Sequence, residues 1–203
     1  MNYKSLIIFL LITINLILLG FLYFGNRDFK QVNVSLREKS YEIEYLLQKN
    51  ELLQSCFTIE TKSNHHKIKD DIELISIQHD TTTFLSYISQ FDRTVIVLYL
   101  SNNDCHTCIE EAYKYLEDIV AKNIPAMVIA HFDHFHNFYN HYLSLNSDVP
   151  TYWVSKPLQV FNQEVRYNFP FVFVTDTSFV VRRFYIPKSE FPNRNKQYFY
   201  SLY

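Results

Sequence analysis

The stretch TVIVLYLSNNDCHTC, residues 94–108, decides the fold of this chain. Its apolar run 94–100 predicts a buried strand, and Cys108–Lys122 predicts an amphipathic helix. Two cysteines separated by two residues at a strand-to-helix turn can close a small disulfide ring. The first sulfur would lie at the positive end of the helix dipole, which favours its thiolate. We therefore expect a dithiol/disulfide redox centre in which Cys105 is the nucleophile and Cys108 resolves the mixed disulfide.

The two residues between the cysteines, His106 and Thr107, are candidates for tuning this centre. A histidine beside the nucleophile can stabilise its thiolate by charge or by a hydrogen bond. The competing interpretation is an exposed His106 side chain with no role, and the sequence favours neither.

Composition excludes several classes of site. The only glycines of the 203-residue chain are Gly20 and Gly25, so residues 26–203 contain none. P-loops, dinucleotide-binding fingerprints and nucleophile elbows all need glycine where the backbone turns sharply or approaches a ligand. The net charge is −2 and no long basic stripe is present, so there is no electrostatic basis for nucleic-acid binding.

Ser5–Phe24 is an uncharged apolar segment long enough to span a bilayer. A cleaved signal peptide is the alternative, but the segment is longer than a usual signal core and no typical cleavage site follows. We expect residues 1–25 to form a transmembrane signal anchor. The positive-inside rule opposes export of the C-terminal part, since more basic residues follow the segment than precede it. An oxidisable cysteine pair favours export, so we expect a single-pass protein of a bacterial inner membrane with its domain in the periplasm.

Residues 26–54 are expected to form a helical stalk, because 36–53 has helical periodicity. Leu36, Ile43 and Asn50 are spaced by seven residues, as in a short coiled coil where an asparagine sets the register. This pattern allows a homodimer through the stalk. The alternative is a helix that packs on its own domain or separates it from the membrane.

Residues 55–203 are expected to form one α/β domain. Strands are predicted at 56–60, 72–77, 94–100, 125–132, 149–154, 171–175 and 179–185, and helices at 83–91, 108–122 and 134–145, with a short helix or turn at 157–164. The last two strands are expected to form a hairpin across residues 176–178. Cys56 is expected to be a buried apolar residue.

The order strand, CxxC, helix, strand, helix, strand and proline-led hairpin over residues 70–187 resembles the thioredoxin fold. With the apolar N-terminal segment, it resembles the membrane-anchored TlpA/ResA-like branch. The motifs that carry the resemblance are Cys105-His106-Thr107-Cys108 and NFPFVFV at 168–174. The resemblance implies a thiol–disulfide oxidoreductase that needs no organic cofactor and exchanges electrons with protein thiols and another dithiol protein. It also implies a cis Pro170 against the dithiol, with Phe169 before it.

The chain departs from the family pattern beside the cysteines. Asp104 stands where the family usually has tryptophan, and Thr107 where it often has proline. An acidic group next to the nucleophile disfavours its thiolate by charge repulsion. The strand 94–100 lacks the buried carboxylate of many thioredoxins, and Asp104 and Glu111 are the candidates to replace it.

Two other classes of function compete with redox chemistry. Cys105 and Cys108 with His131 and His134 would make a Cys2His2 zinc set, although the spacing fits no standard motif. Surface histidines are the simpler interpretation. The third class is a non-catalytic binding module, which the aromatic tail Phe184–Tyr203 would suit if it did not pack back on the domain.

Overall fold

A computed structural model describes residues 3–69, 71–102, 104–145, 147–160 and 169–203. Its elements in chain order are α1 (Tyr3–Ser63), β1 (Glu73–Ser76), β2 (Thr81–Thr83), α2 (Phe84–Ile88), β3 (Val95–Ser101), α3 (His106–Ala121), β4 (Ala126–His131), α4 (Phe135–Leu145), β5 (Thr151–Trp153), β6 (Phe171–Thr175), β7 (Arg182–Tyr185) and α5 (Pro192–Tyr200). The chain divides into two compact units, Met1–Leu52 and Leu53–Tyr203.

The described part of the first unit is the N-terminal part of helix α1, which contains the apolar segment and most of the expected stalk. Within the described residues, the helical range Phe9–Ser63 is long enough to cross a membrane and contains an apolar stretch of 18 residues, none of which is buried in the protein. The helix predicted at 36–53 is confirmed.

The strand predicted at 56–60 is wrong, because α1 continues through it to Ser63. Cys56, Glu60 and Ser63 are buried and lie on one helical face at spacings of four and three residues. Five residues are too few for the sequence pattern to separate a strand from the end of a helix. The expectation that Cys56 is buried is confirmed.

The second unit is built on a seven-stranded mixed sheet in the order β2-β1-β5-β4-β3-β6-β7. Strands β5, β4 and β3 run parallel, and the remaining pairs are antiparallel. Helices α3 and α4 provide the crossovers between the parallel strands, as parallel pairing requires. The segment predicted as a short helix or turn at 157–164 has no regular structure at 157–160, and its remainder lies outside the described residues.

The core covers both faces of the sheet. Alternate residues of β3, including Leu98 and Leu100, join the core cluster formed with α3, α4 and α5. The intervening residues Val95, Val97 and Tyr99 are equally buried. A strand buried on both faces reads as a continuous apolar run, which is why residues 94–100 were recognisable in the sequence.

The aromatic tail packs back on the domain, which resolves the alternative left open by the sequence. The Phe199 ring of α5 is fully buried and stacks on Tyr115 of α3, with centroids 4.6 Å apart. Tyr198 stacks on Tyr185 of β7 at 4.1 Å. These aromatic side chains of the tail therefore pack against the protein's own domain.

The hairpin after β6 forms as predicted, but its second strand begins at Arg182 rather than Phe179. Phe179 and Arg183 have positive φ angles, 57° and 53°. In a glycine-free domain, left-handed positions must be filled by other residues, here also by His65, His79 and Asn123. This backbone conformation interrupts the regular extended run that the sequence suggested.

Asn123 follows the end of α3 and has a left-handed backbone conformation. The stability of the domain should therefore depend strongly on the shape of the side chain at this position. Asn123 is exposed with φ 59°. We expect Asn123→Val to destabilise the domain by about 1–2 kcal/mol, since branching at Cβ opposes this conformation. Asn123→Gly should leave stability unchanged or raise it slightly. Thermal unfolding of the full chain in detergent, followed by near-ultraviolet circular dichroism, measures both; equal midpoints would contradict the prediction.

Candidate functional site

The cysteine pair lies at the junction between β3 and α3. Cys105 is the N-cap of α3, and its Sγ accepts the backbone N–H of Cys108 at 3.4 Å. The two residues form a disulfide with their Cα atoms 5.2 Å apart. Cys105 is partly exposed, whereas only 1% of Cys108 is accessible. An incoming sulfur therefore reaches Cys105 first.

The residues between the cysteines face outward. The Thr107 hydroxyl donates to Cys105 Sγ at 3.2 Å, since a disulfide sulfur has no proton to give. The exposed His106 ring lies 3.3 Å from a carboxylate oxygen of Glu110. It also meets the ring of His141 with centroids 6.5 Å apart. Burial and the nearby His106 lower the pKa of His141.

Asp104 closes the turn that leads into the pair. Its carboxylate accepts the backbone N–H of Ser101 at 2.6 Å and the Ser101 hydroxyl at 2.9 Å. Burial raises the pKa of Asp104 to about 6, against the opposing effects of these hydrogen bonds and of the Lys188 charge. Asp104 is therefore a carboxylate that titrates near neutral pH one residue before Cys105.

The two histidines of the zinc alternative, His131 and His134, differ in their surroundings. His131 ends β4 beside Ser101 of β3, and its Nδ1 lies 3.1 Å from the carbonyl oxygen of Val154. His134 is exposed, and its backbone carbonyl accepts N–H groups at the start of α4. In the described part of the chain, no three His, Cys, Asp or Glu side chains are grouped as they would be to hold a metal ion.

Pro170 lies at the same edge of the sheet as the cysteine pair. It directly precedes β6, whose first residue Phe171 is opposite Tyr99 near the end of β3. Pro170 is buried, and Lys188 Nζ lies 5.1 Å from the ring centroid of the partly buried Phe169. The cis bond expected at Pro170 is wrong: the described residues contain no cis peptide bond. The trans isomer is the ordinary lower-energy state of such a bond, and here it leads directly into β6.

The sequence did not reveal a partly buried ionic contact between the end of α1 and α5. Glu60 accepts the backbone N–H of Ile186 at 3.0 Å through one oxygen and pairs with Arg194 through the other. Burial raises the pKa of Glu60, and its bonds to Ile186 and Arg194 oppose that rise. The partners are more than 120 residues apart, so no local pattern announces them.

Asn195 connects α5 to the helix that begins with the cysteine pair. Its Oδ1 accepts the Tyr185 hydroxyl at 2.7 Å and the Lys188 N–H at 3.2 Å. Its Nδ2 donates to the Lys188 carbonyl at 2.8 Å and to the Glu111 carboxylate of α3 at 3.0 Å. Asn195 is fully buried, so its whole amide is satisfied by these four bonds. Lys188, whose charge reaches Asp104, is thereby fixed at its backbone.

Comparison with known proteins bears on the fold. No protein-family model and no curated protein matches the sequence, whereas solved structures do. A protein from Chlorobium tepidum named as the thiol:disulfide interchange protein DsbE superposes with a TM-score of 0.50 at 11% identity, covering 68% of this chain and 96% of that one. The domain has the thioredoxin fold.

The strands β4-β3-β6-β7 are neighbours in the sheet of this domain. Helix α3 and the terminal hairpin follow β3 and β5 along the chain in the order expected from the sequence. The peroxidoxin BcpB of Mycobacterium tuberculosis superposes with a TM-score of 0.48 at 15% identity, over 69% of this chain and 97% of that one. At such identities the likeness concerns the fold, and the chemistry has to be argued from the residues of the thioredoxin-fold domain itself.

The position of Asn195 predicts a large and specific cost of truncation. We expect Asn195→Ala to destabilise the domain by about 1–3 kcal/mol, because the buried hydroxyl of Tyr185 and the partly buried carboxylate of Glu111 lose a partner. Asn193→Ala is the matched control on the exposed side of α5 and should stay within about 0.5 kcal/mol of the parent. Thermal unfolding of the full chain compares them, and similar midpoints for the two variants would refute the role of this amide.

Asp104 predicts how the reactivity of the dithiol depends on pH. Removing the negative charge in Asp104→Asn should lower the pKa of the Cys105 thiol and raise its alkylation rate at pH 7 about two- to tenfold. The difference should shrink below pH 6, where Asp104 itself is protonated. Rates are measured on the reduced protein by mass spectrometry, with the exposed Asp133→Asn as control. A ratio that does not change with pH would contradict this coupling.

Proposed function

We propose that this protein is a membrane-anchored thiol–disulfide oxidoreductase that exchanges electrons between the Cys105–Cys108 pair and protein substrates. The observation that carries the proposal is a disulfide with one accessible and one buried sulfur at the N-terminus of a 16-residue helix, in a thioredoxin-fold domain. Accessible and buried sulfurs are what a nucleophile and its resolving partner require.

The reaction proceeds by two exchanges. In the reducing direction, the Cys105 thiolate attacks a substrate disulfide, which releases one substrate thiolate and leaves a mixed disulfide at Cys105. The Cys108 thiolate then attacks Cys105 Sγ and releases the second substrate thiolate. The substrate gains two electrons and the protein becomes the disulfide. A second dithiol protein restores the reduced form, and the oxidising direction reverses each step.

The neighbouring residues have supporting roles in this proposal. Thr107 would stabilise the Cys105 thiolate through its hydroxyl, which contacts the sulfur, and His106, the first residue of α3, would support it from the adjacent position. Phe169 and Pro170 border the same edge of the sheet and would form one side of the surface on which a substrate lies. No organic cofactor enters either exchange.

The location that we propose is based on the helix that contains residues 5–24. Its length and apolar composition support a single span. We place it in a bacterial inner membrane with the redox domain in the periplasm, where protein disulfides persist. Protein thiols and disulfides are the proposed partners, and nucleic acid is not.

Single-cysteine variants test the proposal. Cys108→Ser should accumulate a mixed disulfide at Cys105 when the reduced full chain meets a peptide with one disulfide, because the resolving thiol is missing. Cys105→Ser should form none at Cys108, and turnover of the peptide should fall to background in both variants. Cys56→Ser is the control, since Cys56 is buried and free.

Mass spectrometry under non-reducing conditions locates the adduct, and a coupled thiol assay gives the rates. Equal trapping at Cys105 and Cys108 would refute the assignment of nucleophile and resolving residue. Full turnover in Cys105→Ser would refute Cys105 as the nucleophile, and a parent chain with no turnover above background would overturn the enzymatic function and leave a binding module.

A further inference from the structure

Helix α1 carries an apolar seam within the unit Met1–Leu52. Phe29, Val32, Leu36, Ile43 and Leu46 follow spacings of three and four residues, the a and d positions of a heptad, and Lys39 and Asn50 fill the remaining two. Every one of these five apolar side chains is more than half exposed. The other apolar residues of this stretch are scattered over the remaining heptad positions. Three heptads reach the length at which the pattern indicates a coiled coil.

The same heptad frame extends back into the apolar segment and reaches a second asparagine. Asn15 precedes Asn50 by five heptads, so both lie at a positions of one seam. Asn15 is exposed and its Nδ2 donates to the Leu11 carbonyl at 3.0 Å. That bond uses one donor of the amide and leaves its Oδ1 to accept from outside the helix. In hydrocarbon, a neighbouring helix is the usual source of such a bond.

Gly25 occupies a d position between the two asparagines. A Cβ at this residue would meet nothing within 4 Å, so no contact within the chain requires glycine there. A small residue at a seam position allows two helices to approach closely. The seam therefore has a small residue between its two asparagines, where a second helix would be able to approach closely.

We propose that a second copy of this chain binds along this seam, forming a parallel, two-stranded coiled coil from Asn15 to Asn50. The copies are parallel because both start with the same membrane segment. An asparagine at an a position favours two strands and fixes their register, and here asparagines pair at both ends of the seam. The proposal does not depend on the redox function.

Charge is compatible with this pairing. In a parallel pair the flanking g residues Ser35 and Glu42 face Ser40 and Leu47 at the e positions of the partner, so no like charges oppose each other there. Lys39 is an unfavourable core residue, since two lysines meet at its layer. It weakens the dimer and provides a variant that should strengthen it.

Disulfide trapping tests the seam in the full chain. A cysteine is placed at Leu36 (a position) or at Tyr41 (f position) after Cys56, Cys105 and Cys108 are replaced by serine. The protein is reconstituted at low density in vesicles of phosphatidylcholine and phosphatidylglycerol and oxidised. We expect Leu36→Cys to give a covalent dimer at least tenfold faster than Tyr41→Cys. Equal rates, or no dimer at either position, would overturn the proposal. The second outcome would mean that lipid or another protein covers the seam and that the chain is monomeric.

Seam variants with otherwise native cysteines provide the second readout, by sedimentation in detergent. Ile43→Asp should abolish the dimer and Tyr41→Asp should leave it intact, while Lys39→Leu should lower the dissociation constant at least tenfold. Asn50→Leu should keep association but admit larger oligomers. Near-ultraviolet circular dichroism of the redox domain should be unchanged throughout, which separates lost pairing from lost folding. A monomer in every variant, or equal effects of Ile43→Asp and Tyr41→Asp, would refute the seam.

Discussion

The position of the cysteine pair depends on how completely β3 is fixed. Six of its seven residues are buried, and it is hydrogen-bonded to β4 on one edge and β6 on the other. A strand held on both faces and both edges cannot shift its register without moving every side chain to the wrong face. The position of its last residue, Ser101, is therefore well defined. The Asp104 carboxylate bonds back to Ser101, so the chain enters α3 at Cys105 in one geometry.

The same turn sets two opposing electrostatic effects on Cys105. The N-terminus of α3 stabilises a thiolate by about 0.3–1 kcal/mol at a partly exposed site. The carboxylate of the preceding residue, Asp104, disfavours the thiolate by charge repulsion when it is ionised. The two effects oppose each other, so the protonation of Asp104 shifts the balance between them. Because burial raises the pKa of Asp104 to about 6, the helix acts nearly unopposed only in mildly acidic solution.

Sequence reasoning succeeded where a structure is determined by neighbouring residues. The strand at 94–100, the helix after it and the apolar strand at 125–132 follow from local periodicity, and they place Cys105 and Cys108 correctly. The strand predicted at 56–60 was wrong, because α1 continues through these residues and five residues are too few to show the helical spacing of its buried positions. The Glu60–Arg194 and Asn195–Glu111 contacts join residues 134 and 84 positions apart, so they depend on tertiary packing that no local signal encodes.

These long-range polar contacts are better understood as determinants of geometry than of stability. Burying Glu60 and Arg194 costs desolvation that their attraction does little more than offset, and an apolar pair of similar volume would serve stability as well. An apolar pair, however, would accept no directional hydrogen bond from the backbone. Glu60 also fixes the N–H of Ile186, and Asn195 fixes both backbone groups of Lys188. The segment after β7 is thereby held so that the Lys188 charge acts on Asp104 and its ammonium lies over Phe169. These bonds near the C-terminal end of the chain thus help to set the electrostatics at the start of α3.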